Sequence, residues 1–154
     1  MGKLFYNNKP LIGLDVGLTG VKAMSIDATK WRVQGYGSLD LDPVAVQKSL
    51  DDPDDTYLGE NIAALIKNHV IGSLDSDYAV IGIPTGRTFS RTFTLPAKES
   101  SHIKSALEIE VEQYIPLPMS SLYVDYKIIE RTKDTVTVVM TAVPRTLVDA
   151  CTHA

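Results

Sequence analysis

The amino-acid sequence predicts a mixed fold, between α/β and α+β, laid out as two consecutive parts. Three observations carry this. Two short apolar runs, at 11–17 and 21–27, flank a turn containing Gly20. A helical apolar pattern over 56–70 is followed by a further apolar run at 78–83. From Thr88 onward a second series reads strand, helix, strand, strand, helix.

Residues 1–9 read as a polar lead-in. The runs at 11–17 and 21–27 are joined by Leu18, Thr19 and Gly20, short enough for a tight hairpin. A third strand over 31–41 carries Val33, Tyr36 and Leu39 and follows through Ala28, Thr29 and Lys30, so the three form a meander. Residues 40–55, rich in Asp and Pro, read as a loop; the alternating ligands around a glycine that a calcium loop needs are missing. Leu58, Ile62, Leu65 and Ile66 share one face of the helix over 56–70, with Asp55 or Thr56 as its cap and Gly72 as its stop. The run at 78–83 reads as a buried strand. A strand that returns through a helical crossover lies parallel to the strand it rejoins. Meander, helix and returning strand is the order of the ribonuclease-H-like fold.

In the second part, residues 88–95 alternate, with Phe89, Phe93 and Leu95 on one side. Residues 98–115 read as one helix, capped by Ser100 or Ser101, with Ile103, Leu107 and Val111 on a common face and Pro116 and Pro118 beyond its end. Strands over 122–131 and 135–143 form a hairpin through Thr132, Lys133 and Asp134, and Pro144 opens a last helix.

Composition narrows the function. The 154 residues include 15 Lys and Arg against 19 Asp and Glu, a net charge of −4, with no basic cluster. That argues against general nucleic-acid binding, which needs a basic face. The single cysteine, Cys151, permits no disulfide within the chain, fits a reducing compartment and reads as a small apolar filler. No apolar run approaches the ~20 residues that span a bilayer. The chain is therefore expected to be cytoplasmic.

Two patterns are candidates for chemistry. The first is Asp15, Gly17, Leu18, Thr19, Gly20 and Lys22. A phosphate needs main-chain N–H groups aimed at it and no side chains in the way, and a glycine-bearing turn offers both. Asp15 at the end of a strand suits a hydrated magnesium, and Lys22 offers charge. The same spacing equally describes an ordinary hairpin in which Gly20 supplies only the turn. It matches neither a P-loop nor a G-x-G-x-x-G fingerprint. The second pattern is Glu99, Glu108, Glu110 and Glu112 on the long helix; with no histidine or metal ligand nearby, it reads as a solvated face. His69, His102 and His153 are scattered, and no nucleophile triad or zinc set is present.

Taken together, Leu11-Ile12-Gly13-Leu14-Asp15-Val16-Gly17 with Val21-Lys22, Ile83-Pro84, the run from Arg91 to Pro96 and, above all, Glu110-Val111-Glu112-Gln113-Tyr114-Ile115-Pro116-Leu117-Pro118 resemble the PilM family. These are cytoplasmic actin-like proteins of type IV pilus assembly; the likeness to the cell-division protein FtsA is more distant. The resemblance implies that residues 10–86 are the first part of actin-like subdomain 1A and 87–154 the small inserted subdomain 1C. It implies ATP with magnesium in the full-length family, the first phosphate loop falling on Asp15, Gly17, Leu18, Thr19, Gly20 and Lys22, with Asp15 reaching the metal through water. It also implies a partner: the N-terminal peptide of the inner-membrane protein PilN, in a groove between 1A and 1C assigned to Pro84, Arg87, Gln113, Tyr114 and Pro116. The protein would then lie at the inner membrane through that partner. This sequence departs from the family at Leu18, where Ser or Thr is usual, and it ends before the family's second phosphate loop and adenosine-binding segment. The expectation is a fragment or short form that acts as a scaffold, binds no ATP by itself, catalyses nothing and self-associates through uncovered apolar faces. The competing expectations are an ATP-binding actin-like ATPase and an FtsA-like protein.

Overall fold

The computed structural model describes residues 11–154; the polar lead-in read over 1–9 lies outside them. The described chain divides into two compact units. One holds the residues through Pro84 together with Asp149–Ala154, and the other holds Thr85–Val148.

The first unit is a five-stranded sheet with helices on one face. Strand β1 (Ile12–Gly17) and strand β2 (Gly20–Asp27) form the expected hairpin, closed at Gly17 opposite Gly20 around Leu18 and Thr19. Period-two alternation sends Leu14, Val16, Val21, Ala23 and Ser25 to the covered face. Strand β3 (Arg32–Asp40) completes the meander, after a turn in which the Asp27 carboxylate accepts from the N–H groups of Thr29 (2.9 Å) and Lys30 (3.1 Å). The sheet order is β4-β3-β2-β1-β5, where β4 is Val70–Gly72 and β5 is Ala79–Gly82. β5 runs parallel to β1, Ile12 opposite Ala79 and Asp15 opposite Gly82, as the crossover rule requires.

Four details depart from the sequence reading. Residues 43–51, within the span read as loop, form helix α1 (Pro43–Asp51). Its start is well specified: Asp42 is the N-cap, its carboxylate accepting from Val44 N–H (2.7 Å) and Ala45 N–H (3.3 Å), and Pro43 occupies the first turn. Helix α2 (Tyr57–Asn68) buries Leu58, Ile62 and Leu65 but leaves Ile66 half exposed, and it stops at His69, whose N–H reaches Leu65 C=O. Gly72 is not its stop. It lies in β4 with φ +86°, packed so closely that a Cβ would fall 2.2 Å from Gln34 C=O. Finally, β5 is not buried. It is an edge strand with Val80 53% exposed, because helices cover only the other face of this sheet.

The second unit is a three-stranded sheet, order β6-β8-β7, formed by β6 (Phe89–Pro96), β7 (Leu122–Arg131) and β8 (Thr135–Pro144). Helix α3 (Ile103–Tyr114) is shorter than the reading over 98–115, since Ala97–His102 winds as a 3-10 turn and neither Ser100 nor Ser101 caps it. Its stripe of Ile103, Leu107 and Val111 buries against Val136, Val138, Met140 and Ala142 of β8 and Leu122 of β7, with Phe89, Phe93 and Leu95 of β6 at the margin. Threonines 137 and 141 of β8 alternate outward. Helix α4 (Arg145–His153) ends the chain and buries Leu147, Ala150 and Cys151.

Candidate functional site

In the first unit the strand registers set two cross-strand rows on the uncovered face. One row runs Ile71, Tyr36, Met24, Gly13, Val80 across all five strands. The next runs Ser38, Lys22, Asp15, Gly82. An apolar row therefore lies beside a polar one, and both dip where Gly13 and Gly82 have no side chain. The dip is an open groove of about 550 Å³ lined by the residues of both rows except Ile71.

Asp15 and Lys22 are direct cross-strand partners in this groove, both exposed. At the end of the hairpin Gly17 and Gly20 face each other, and a Cβ on Gly20 would fall 2.7 Å from Leu39 C=O. Leu18 is 40% exposed at the tip, and Thr19 C=O accepts from Leu41 N–H (3.0 Å), tying the tip to the end of β3. Asp15 is the carboxylate of the groove, and among the described residues no group of three His, Cys, Asp or Glu side chains gathers to hold a metal. One carboxylate suits magnesium, which keeps most of its waters. The hairpin thus fits one wall of a Mg-phosphate site: two glycines, a carboxylate, an ammonium and the Thr19 hydroxyl, with Leu18 adding no hydroxyl at the first turn position.

The second unit carries a different cluster. Arg91 lies in the row of β6 that faces α3, between Phe89 and Phe93. Its Nε–H donates to Glu110 Oε2 (2.6 Å), and its guanidinium stacks on the Tyr114 ring, 3.3 Å from the centroid. Glu110 and Tyr114 are one helical turn apart, so both project from one side of α3. Tyr114 remains 52% exposed, and Gln113 and Pro116 beside it are exposed as well. Arg87 is partly buried in the 3-10 turn Thr85–Arg87, and Pro84 ends the first unit.

Sequence reasoning missed this cluster by treating Glu110 as part of a solvated face. Glu108 and Glu112 are indeed exposed; Glu110 is not. The signal was available in the alternation of β6, where a charged residue in the inward row demands a counter-charge. Cys151 is buried, and that burial pushes its thiol up and away from reactivity.

The chain matches the family model of type IV pilus assembly protein PilM over residues 13–154. Among solved structures it is similar to a chain of the PilM–PilN type IV pilus biogenesis complex, at 17% identity and a TM-score of 0.76, covering 93% of this chain and 43% of that one. It is also similar to the cytoplasmic domain of EpsL, an inner-membrane component of the type II secretion system of Vibrio cholerae. There the identity is 13% and the TM-score 0.52, covering 94% of this chain and 52% of that one. The chain therefore spans about half the length of these structures or less. What these structures share with this chain is the fold.

Proposed function

This chain belongs to the PilM family of type IV pilus assembly proteins, and on that premise we propose that it is a scaffold that binds an extended peptide from a PilN-like partner. The observation that carries the reading is the family match over nearly the whole described chain. It is supported by a compact second unit whose Glu110–Pro118 run ends in exposed Gln113, Tyr114 and Pro116, side chains suited to grip a peptide. Arg87, in the same unit, completes the proposed contact set. Such binding needs no catalytic residue. A partner anchored in the inner membrane would hold the protein at the cytoplasmic surface; no described helix is long and apolar enough to cross a membrane. Other pilus assembly proteins would join through the same scaffold. Titration calorimetry with a synthetic peptide of the partner's N-terminal segment tests this. Saturable binding is expected, and no heat at millimolar peptide would reject it.

A second reading is favoured by one observation, the facing pair Asp15 and Lys22 beside Gly17 and Gly20. On this reading the hairpin is the first wall of a Mg-ATP site. ATP would supply the anion, Asp15 would hold the magnesium through water, and Thr19 with the main chain of Gly17, Leu18 and Gly20 would face the phosphates. The wall alone is half of a site, so this chain by itself is expected to gain no thermal stability from Mg-ATP. A ligand present at 100 times its dissociation constant would add about 2.7 kcal/mol. The uncovered sheet face, with Met24, Ile26, Val33, Tyr36, Ile71 and Val80 all at least 41% exposed, further leads us to expect concentration-dependent self-association, readable by light scattering.

A further inference from the structure

The turn between β2 and β3 holds the chain's one tryptophan in an unfavourable setting. Trp31 is 84% exposed, so the fold gains almost nothing by burying the indole. Its φ is +51°, a left-handed conformation that a bulky residue adopts only at a cost. Glycine would make the same turn without that cost. The fold therefore bears backbone strain and an exposed indole at one position, with little internal packing to offset them. The surroundings of Trp31 are of two kinds. The uncovered face of the hairpin is apolar up to the turn: Met24 stands opposite Tyr36 and Ile26 opposite Val33, all four exposed. The turn itself is basic. Residues 28–39 hold Lys30 and Arg32, both exposed, and no carboxylate. Asp27 opens the turn, its carboxylate bonded to the N–H groups of Thr29 and Lys30 and 3.7 Å from the Lys30 ammonium. In a chain of net charge −4, this tip carries two cations against one carboxylate that is already bonded.

We infer that the β2–β3 turn is a membrane-contact tip: Trp31 seats among the headgroups of a bilayer bearing anionic lipid, and Lys30 and Arg32 meet the phosphates. An indole is amphipathic, with a ring that prefers the apolar side of that boundary and an N–H that prefers the wet side. Lysine and arginine beside it lay their stems along the boundary and keep their charges at the phosphates. A protein pocket is a poorer match. The aromatic anchor of a protein interface sits at the centre of a patch that neighbouring contacts seal from water. Trp31 instead stands at the end of two strands, between a lysine and an arginine. One such contact binds weakly and reversibly, as a single membrane signal does. This inference goes beyond the scaffold reading and does not depend on peptide binding. Beside a membrane-anchored partner, which supplies a second signal, the tip would fix how the first unit faces the bilayer.

The test uses the full chain, and Trp31 is its own probe because it is the one tryptophan. Its emission is followed at low salt as vesicles of phosphatidylglycerol and phosphatidylcholine in equal parts are added, and again with phosphatidylcholine alone. The anionic vesicles should shift the emission to the blue and cut its quenching by acrylamide at least about twofold, and the neutral ones should bind about tenfold more weakly. Lys30→Gln and Arg32→Gln should each weaken binding about fivefold. Trp31→Gly suits the left-handed backbone, so its thermal midpoint should equal or exceed the parent's, while its co-sedimentation with anionic vesicles falls at least about tenfold. Emission and quenching that anionic vesicles leave unchanged would overturn the proposal. So would a blue shift that needs no lipid and grows with protein concentration, which would assign Trp31 to a contact between copies of this chain. Either result leaves the peptide titration, and the scaffold reading with it, untouched.

Discussion

Arg91 makes two contacts from one partly buried position, an ion pair with Glu110 and a stack on Tyr114. Replacing it by Ala removes both and leaves Glu110 without its partner, so Arg91→Ala is expected to cost about 1–2 kcal/mol, read as a shift in urea midpoint. A double-mutant cycle with Glu110→Ala should return a coupling of about 0.5–1.5 kcal/mol; additive effects would mean the pair carries no energy. A second ion pair is a pH sensor of stability. Lys48 donates to Asp55 at 2.8 Å, and this contact, with the Tyr57 N–H bond, holds the Asp55 carboxyl below the usual range. Its folded pKa is lowered, so its contribution is present above the ordinary carboxylate range and lost as pH falls through it. The Lys48 ammonium is correspondingly raised by Asp55, so its share is lost only as pH climbs past the lysine range. Asp55→Asn should therefore lower stability at neutral pH and make little difference in acid. An equal deficit at both would refute the assignment.

At the scale of elements, α1 shows what sequence reasoning misjudged. Asp42 and Pro43 were counted as loop residues because both are common in turns, yet side by side they are an N-cap and a first-turn proline. Asp42→Ala is expected to cost about 1 kcal/mol, with the loss of helical signal measured by circular dichroism during thermal unfolding. The hairpin, the crossover helix and the parallel return of β5 were legible, because alternation and apolar stripes are local patterns. The exposure of β5 was not. An apolar run reports that a strand is apolar, whereas burial depends on whether anything covers its second face. Close approaches were equally invisible: Gly35 sits where a Cβ would fall 2.3 Å from Ser73 C=O, so Gly35→Ala should displace the segment after β4 and destabilise by more than ~1 kcal/mol.

For the whole molecule, the two candidate surfaces were unequally readable. Asp15 and Lys22 were legible as candidates, but their pairing was not: a connection of Leu18, Thr19 and Gly20 would set Asp15 opposite Ala23, whereas the turn closes at Gly17 and Gly20 and brings Asp15 opposite Lys22. The Arg91–Glu110 pair joins positions 19 residues apart through tertiary packing; the alternation of β6 signals that Arg91 needs a counter-charge, but not that Glu110 supplies it. The second unit needs no help from elsewhere to form a core, since α3 seals one face of its sheet and threonines solvate the other. The first unit leaves an apolar row across five strands uncovered. This division is the structural basis of the proposed account, in which the chain holds a partner on an exposed surface. The most direct test of that account is titration of the full chain with the N-terminal peptide of the PilN-like partner, in parallel with Mg-ATP. The account predicts saturable peptide binding and no nucleotide response. Nucleotide binding without peptide binding would contradict it.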